Sequence, residues 1–271
     1  YCFKKNLLER KAIATEKSLA DFGMVVSANS ENLQLLPKLA EHATAFKLYL
    51  GIPQIKLHTE SYETAEKILE KIPPSKPVIV HAEDPRELKK AQEKIKHPKN
   101  LRELAEARPE EAEIVAVEKL IGRAKVCNTR LHVTHITCVE SVNLIKKAKA
   151  AGFRISCDVW PVNLIFDCES EFRQQQLAKI WPPLRDPEQR FGLIKALMNG
   201  KIDFIATDHA PHLLEEKLVS FHAAIAGVPW LDVLFSSMAL LAEQENVKLE
   251  KLISKLTADV AKTFCIDGKG E

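Results

Sequence analysis

Long apolar runs are missing from this sequence. No stretch approaches the ~18 apolar residues that a bilayer-spanning helix needs, and none reads as a signal peptide. An excess of one charge is missing too. The 39 Lys and Arg stand against 37 Asp and Glu, for a formal net charge of +2, and the basic residues are spread along the chain. This speaks against a nucleic-acid-binding tail and against a membrane-surface patch. The six cysteines (Cys2, Cys127, Cys138, Cys157, Cys168 and Cys265) lack CxxC spacing, and several sit in apolar, strand-like runs. They read as reduced, mostly buried thiols of a cytoplasmic protein. What is present is 46% hydrophobic and 28% charged residues in 271, enough to bury a sizeable globular core.

Short β-branched runs recur at 22–28 (FGMVVSA), 45–51 (AFKLYLG), 77–83 (PVIVHAE), 131–137 (LHVTHIT), 154–160 (RISCDVW) and 203–210 (DFIATDHA). Between them, 32–42, 61–72, 110–125 and 139–152 place apolar residues at i, i+3, i+4 and i+7, the period of a helix with one buried face. Gly152 follows a Lys-rich helix end, as a C-cap does. The polar, Pro-containing stretch 84–110 reads as a long excursion on an outer rim, and 228–245 as a helix with exposed Leu, Phe and Met. Strands alternating with helices predict an α/β fold with a parallel sheet covered on both faces. Six strands would suffice for a doubly wound sheet, but its Gly-rich phosphate turn is absent. The expectation is therefore a TIM-type (β/α)8 barrel with about six of its eight strands present. Tyr1 in place of Met, no strand before the first helical segment and an abrupt end at Glu271 make both ends read as cuts.

Four polar residues fall at equivalent places in these runs. Lys47 lies inside AFKLYLG, His81 ends PVIV, His135 follows LHVT, and Asp208 follows DFIAT. In a parallel barrel the C-terminal strand edges form one face, the face where active sites are built, so the four would converge. Imidazole and carboxylate donors suit zinc or a similar divalent ion. Each residue alone has an ordinary reading. A histidine after a strand is commonly a satisfied core or loop residue, a lysine can snorkel to the rim, and an aspartate can cap a helix. All four at one topological position favour a metal site.

The motifs then become specific. IATDHAPHLLEEK at 205–217, PVIVHAED at 77–84, LHVTHITCVESVNLIKKAK at 131–149, FKLYLG at 46–51 and RPEEAE at 108–113 together resemble the dihydroorotases of the amidohydrolase superfamily. The resemblance implies a zinc-dependent cyclic amide hydrolase that reversibly converts (S)-dihydroorotate to N-carbamoyl-L-aspartate in pyrimidine biosynthesis. It implies one or two zinc ions held by Lys47 (N6-carboxylated and bridging), His81, His135 and Asp208, with the ligand in the 131–137 run being His135 rather than His132. Asp208 would also be the catalytic acid and base. His212 would bind the substrate carboxylate, and Ala226 and Gly227 would line its ring. A homodimer or a complex with aspartate transcarbamoylase is the implied assembly.

The chain also departs from the family pattern. The family's His-x-His pair with its nearby Arg is absent, so residues 1–271 read as one incomplete barrel. Its first two strands and the C-terminal β-sandwich would lie outside, and the piece alone is expected to be inactive. Trp181 in WPPLR stands where many members have Asn, and Val162 and Asn163 in WPVNL stand where many have a His pair. Two alternatives stay open. One is a hydantoinase or allantoinase, and the other is a non-catalytic dihydroorotase-like scaffold subunit.

Overall fold

Six apolar runs become six strands: β1 (Val25–Ser27), β2 (Ala45–Leu50), β3 (Pro77–Ala82), β4 (Arg130–Val133), β5 (Ile155–Val159) and β6 (Phe204–Ile205). The computed structural model describes residues 3–53 and 58–270, so Cys2 lies outside the described residues. All neighbouring strands are parallel and lie in chain order, β1-β2-β3-β4-β5-β6. Sequential order with a helical crossover between strands is the barrel pattern.

Register shows how the sheet divides its side chains. Ser27 pairs with Lys47, Lys47 with Ile79, Tyr49 with His81, Ile79 with His132, and His132 with Ser156. Because side chains alternate along a strand, Lys47, Tyr49, His81, His132, Ser156 and Asp158 all belong to one face. The alternate residues, Phe46, Leu48, Leu50, Val78, Val80, Leu131, Val133, Cys157 and Val159, join the core under the helices. The runs therefore alternate between a polar interior face and an apolar outer one, rather than being apolar throughout as expected for a fully covered sheet.

The outer layer follows the periodic segments. Helices form at Tyr62–Lys71, Glu110–Val126 and Val139–Ala150, the last closed by Gly152 at φ 82°. Three readings change. The 32–42 segment divides into a 3-10 turn (Ser30–Leu35) and one short helix (Leu36–Leu39), with Pro37 at its start and Asn29 and Asn32 capping each other reciprocally. The 84–110 stretch is not an irregular rim loop. It holds helices Pro85–Lys94 and Leu101–Ala107, whose first turns are capped by Asp84 and Asn100 and which bury Leu88, Leu101 and Leu104. Polar capping residues made it look loop-like. In Leu234–Gln244, Met238 is fully buried, while Phe235 and Leu240 stand 60% and 46% exposed.

Among the described cysteines none is in a disulfide; Cys138, Cys157 and Cys168 are buried and Cys265 is exposed. No described helix is long and apolar enough to cross a membrane.

Gly51 ends β2 at φ 83°, and a Cβ there would lie 2.3 Å from the Glu83 carbonyl oxygen. Gly51→Ala should therefore destabilise the fold by at least about 1 kcal/mol, through left-handed strain plus a backbone collision. Urea denaturation of the two proteins side by side measures this, and equal midpoints would contradict it.

Candidate metal centre

Strand β3 delivers His81 into the interior, where the residue is 1% exposed. The chain past β4 turns sharply to deliver His135, whose φ of 45° is left-handed for a non-glycine residue. The result is close apposition: His81 Nδ1 lies 3.0 Å from His135 Nε2. Two nitrogens bound to one tetrahedral zinc ion, each at 2.0–2.1 Å, lie about 3.3 Å apart, so a small outward rotation would admit an ion between them.

The other nitrogen of His81 is fixed. Its Nε2 donates to Glu83 Oε2 at 2.7 Å, leaving Nδ1 with its lone pair toward His135. Glu83 is itself fully buried and is held by the guanidinium of Arg108, through Nε at 3.1 Å and a short contact from Nη2. Arg108 and the His81 hydrogen bond overcome the effect of burial and bring the Glu83 carboxyl down to about 2. Burial, in turn, lowers His81 to about 4 and puts His135 well below the ordinary imidazole value. Both rings are thus neutral at physiological pH, the state a metal ligand requires. His135 Nδ1 is buried without a hydrogen-bond partner.

The turn carrying His135 is gripped from both sides. Asp158 Oδ1 accepts the His135 backbone N–H at 2.7 Å, while its Oδ2 accepts from His132 Nε2 at 2.7 Å. His132 Nδ1 meets Ser156 Oγ at 2.8 Å, so that ring has both nitrogens committed within the sheet. Beyond His135, buried Glu113 accepts the N–H groups of Thr137 and Cys138, each at 3.0 Å, and the Thr137 hydroxyl. Arg185 donates to Thr137 Oγ1 at 2.9 Å and to the Arg108 carbonyl. The RPEEAE and WPPLR motifs are therefore the scaffold behind the two histidines.

Lys47 and Asp208 face a cavity of about 400 Å³ that Ser27, Tyr49, His132 and Asp158 also line. Burial lowers the Lys47 ammonium to about 8, against the pull of Asp208 and Asp158. Asp208 has a left-handed φ of 40° and is open to solvent on one side. Loss of water around the partly buried carboxyl raises it above the usual value, with Lys47 opposing this and Asp158 adding to it. Lys47 also acts electrostatically on both His81 and His135. No set of three or more His, Cys, Asp or Glu side chains among the described residues closes into a metal cage.

His212 and Ala226 lie elsewhere, on a cavity of about 810 Å³ shared with Leu104, Arg108, Lys179, Trp181 and Ile225. Gly227 adjoins them: a Cβ there would sit 2.8 Å from His212 Nε2. Lys217, the last residue of DHAPHLLEEK, is buried and holds this loop by donating to the carbonyls of Lys179, Ile225 and Gly227. Arg108 connects the two regions. It braces Glu83 behind His81, and its guanidinium stacks 4.7 Å from the Trp181 ring on the larger cavity.

Sequence reasoning gave no individual role to Glu83, Arg108, Glu113, Asp158 or Arg185. The usable signal was a charged residue next to, or inside, an apolar run, as in HAED and SCDVW.

The dihydroorotase of Carboxydothermus hydrogenoformans is 36% identical over 164 residues, 60% of this chain and 38% of that protein. The dihydroorotase of Methanosarcina acetivorans is 28% identical over 280 residues, covering 98% of this chain and 59% of that one. Both relatives are dihydroorotases, and the second match runs along almost the whole chain. The chain thus spans roughly two-fifths to three-fifths of the length of these curated relatives. Solved structures of a hydantoinase and a dihydroorotase share the fold. The L-hydantoinase of Arthrobacter aurescens superposes with a TM-score of 0.91 at 24% identity, covering 97% of this chain and 60% of that one. The dihydroorotase of Saccharomyces cerevisiae in complex with 5-fluoroorotic acid gives 0.76 at 15%, covering 97% and 73%. No protein-family model matches the chain. The six parallel strands thus share the TIM-type α/β barrel fold of these structures.

Arg108→Met should cost this chain about 3–5 kcal/mol, because Glu83 is left as an unpaired buried charge. The double variant Arg108→Met/Glu83→Gln should recover part of the loss. Chemical denaturation of all four proteins gives the coupling, and strictly additive losses would show the pair is not a unit.

Proposed function

We propose that the chain forms the main part of a dihydroorotase active site, for the zinc-dependent, reversible hydrolysis of (S)-dihydroorotate to N-carbamoyl-L-aspartate in pyrimidine biosynthesis. The observation that carries this reading is the facing pair His81 Nδ1 and His135 Nε2, 3.0 Å apart and both neutral, with His81 oriented by Glu83. Lys47 and Asp208 at the same barrel end would complete the ligand set. A divalent ion bound there polarises the scissile carbonyl and makes water a nucleophile near neutral pH.

The protein's own groups carry the rest. Asp208, its carboxyl raised by its surroundings, would take the proton of the attacking water and return it to the leaving amide nitrogen. Lys47 at about 8 offers roughly one free amine in ten at neutral pH, against roughly one in several thousand for an ordinary lysine. Only the free amine adds carbon dioxide, so burial of Lys47 favours the N6-carboxylated form, which carries two oxygen donors. His212, Ala226 and Gly227 would receive the substrate's carboxylate and ring.

A second reading, a hydantoinase, is favoured by one feature. Trp181 and its apolar neighbours Leu104, Ala107 and Ile225 give the larger cavity a surface suited to an apolar ring substituent.

Two measurements test these readings. In the complete gene product, kcat/KM for dihydroorotate should exceed that for hydantoin and allantoin. A reversed order would transfer the assignment to the second reading, and no turnover of any of them would favour a scaffold subunit. Lys47→Ala should lose binding of two zinc ions, and metal analysis showing both retained would make Lys47 structural.

A further inference from the structure

A second pair of histidines repeats the apposition of His81 and His135, far from it in the sequence and on the surface. His97 lies between helices Pro85–Lys94 and Leu101–Ala107, and His222 lies in the segment after DHAPHLLEEK. His97 Nδ1 is 2.9 Å from His222 Nε2, with ring centroids 4.2 Å apart at 84°. Both residues are exposed, and 125 positions of sequence separate them. We propose that His97 and His222 form a surface site for a divalent transition-metal ion, which staples these two loops together at the edge of the 810 Å³ cavity.

Three observations support the assignment. The first is geometric: the nitrogens are within a few tenths of an ångström of the spacing, about 3.3 Å, that two ligands of one zinc ion adopt. Solvent access to both rings leaves room for water in the remaining positions.

The second is that both backbones are anchored, so little order has to be created on binding. On the His97 side, Lys99 N donates to Glu103 Oε2 at 2.8 Å and Asn100 caps the next helix. On the His222 side, the buried Lys179 ammonium donates to the carbonyls of Phe221 at 3.0 Å and of His222 itself at 2.8 Å.

The third is placement. His222 lines the cavity together with Lys96 and Pro98, the two neighbours of His97, and with His212 and Ala226. An ion joining the loops would therefore narrow the opening to that space. Partial burial, His97 and Lys179 all lower the His222 imidazole, which keeps its lone pair available. Imidazole donors favour Cu2+, Ni2+ and Zn2+ over Mg2+ or Ca2+.

The test is titration of the 271-residue chain with zinc chloride, alongside His97→Ala and His222→Ala. Being exposed, both positions should tolerate alanine, and circular dichroism confirms the fold. Each variant should bind one zinc equivalent fewer than the parent. Cu2+ bound to the parent should give an electron paramagnetic resonance spectrum with coupling to two imidazole nitrogens, lost in either variant. Zinc should also slow amide exchange in residues 95–100 and 218–224 together. Unchanged zinc stoichiometry and affinity in both variants would overturn the proposal. So would a loss confined to one of them, since a two-ligand clamp needs both rings.

Discussion

The Glu83 carboxylate sits with no exposure to solvent, and a charge so placed is tolerable only while Arg108 and His81 both hold it. Much of the site follows from that constraint. Arg108 must lie against β3, which draws the start of the Glu110–Val126 helix and its Pro109 toward the sheet edge. His81 must present Nε2 to the carboxylate, so Nδ1 has to face the interior and His135. Gly51 must be glycine because the Glu83 backbone passes within 2.3 Å of where its Cβ would be. A buried ion pair of this kind contributes little net stability compared with apolar packing of the same shape. What it provides is orientation: one tautomer and one ring angle for a histidine that has few other constraints.

Strand alternation extends the same logic across the sheet. The outer side chains of β2 to β5 are apolar and pack under helices, and burying an aliphatic side chain of that kind contributes on the order of 1.5–3 kcal/mol. That packing makes affordable the interior face, where Lys47, His81, His132 and Asp158 are all desolvated to some degree. His135 and Asp208 add left-handed backbone, worth roughly 1–3 kcal/mol each in strain. Asp158 and Glu113 hold the first of these turns through its own N–H groups. The strain is therefore local and opposed by hydrogen bonds to charged acceptors, which are stronger than neutral ones.

The barrel was legible in the sequence because its information is periodic and local. Six β-branched runs became six parallel strands, and the helices at 61–72, 110–125 and 139–152 appeared close to their expected bounds. The ligand candidates were legible too, because a polar residue at the end of an apolar run is conspicuous. Three things were hidden. Capping residues disguised the helices of 84–110, since Asp and Asn mark loops and helix starts alike. The outer and inner strand faces were not separable where Ile79 is as apolar as the core residues around it. The bracing charges were hidden because pairing is a property of space: nothing in HAED says that Arg108, 25 positions later, closes on Glu83.

Pairing also explains why two histidine couples with nearly equal nitrogen separations, 3.0 and 2.9 Å, need not behave alike. In the interior couple, a buried carboxylate accepts from the far side of His81, which raises the basicity of the facing nitrogen and fixes the ring. Both rings are buried, so in the proposed site an ion between them would be neutralised by further protein donors, Asp208 and an N6-carboxylated Lys47. Among the described residues no carboxylate hydrogen-bonds to either ring of the exposed couple, and solvent can complete the coordination of any ion it takes. Equal geometry thus leads to different chemistry. Under the proposed function the interior pair would hold an ion that polarises a bound amide, whereas the proposed surface pair would hold one weakly and exchangeably, with its effect confined to the loops it joins.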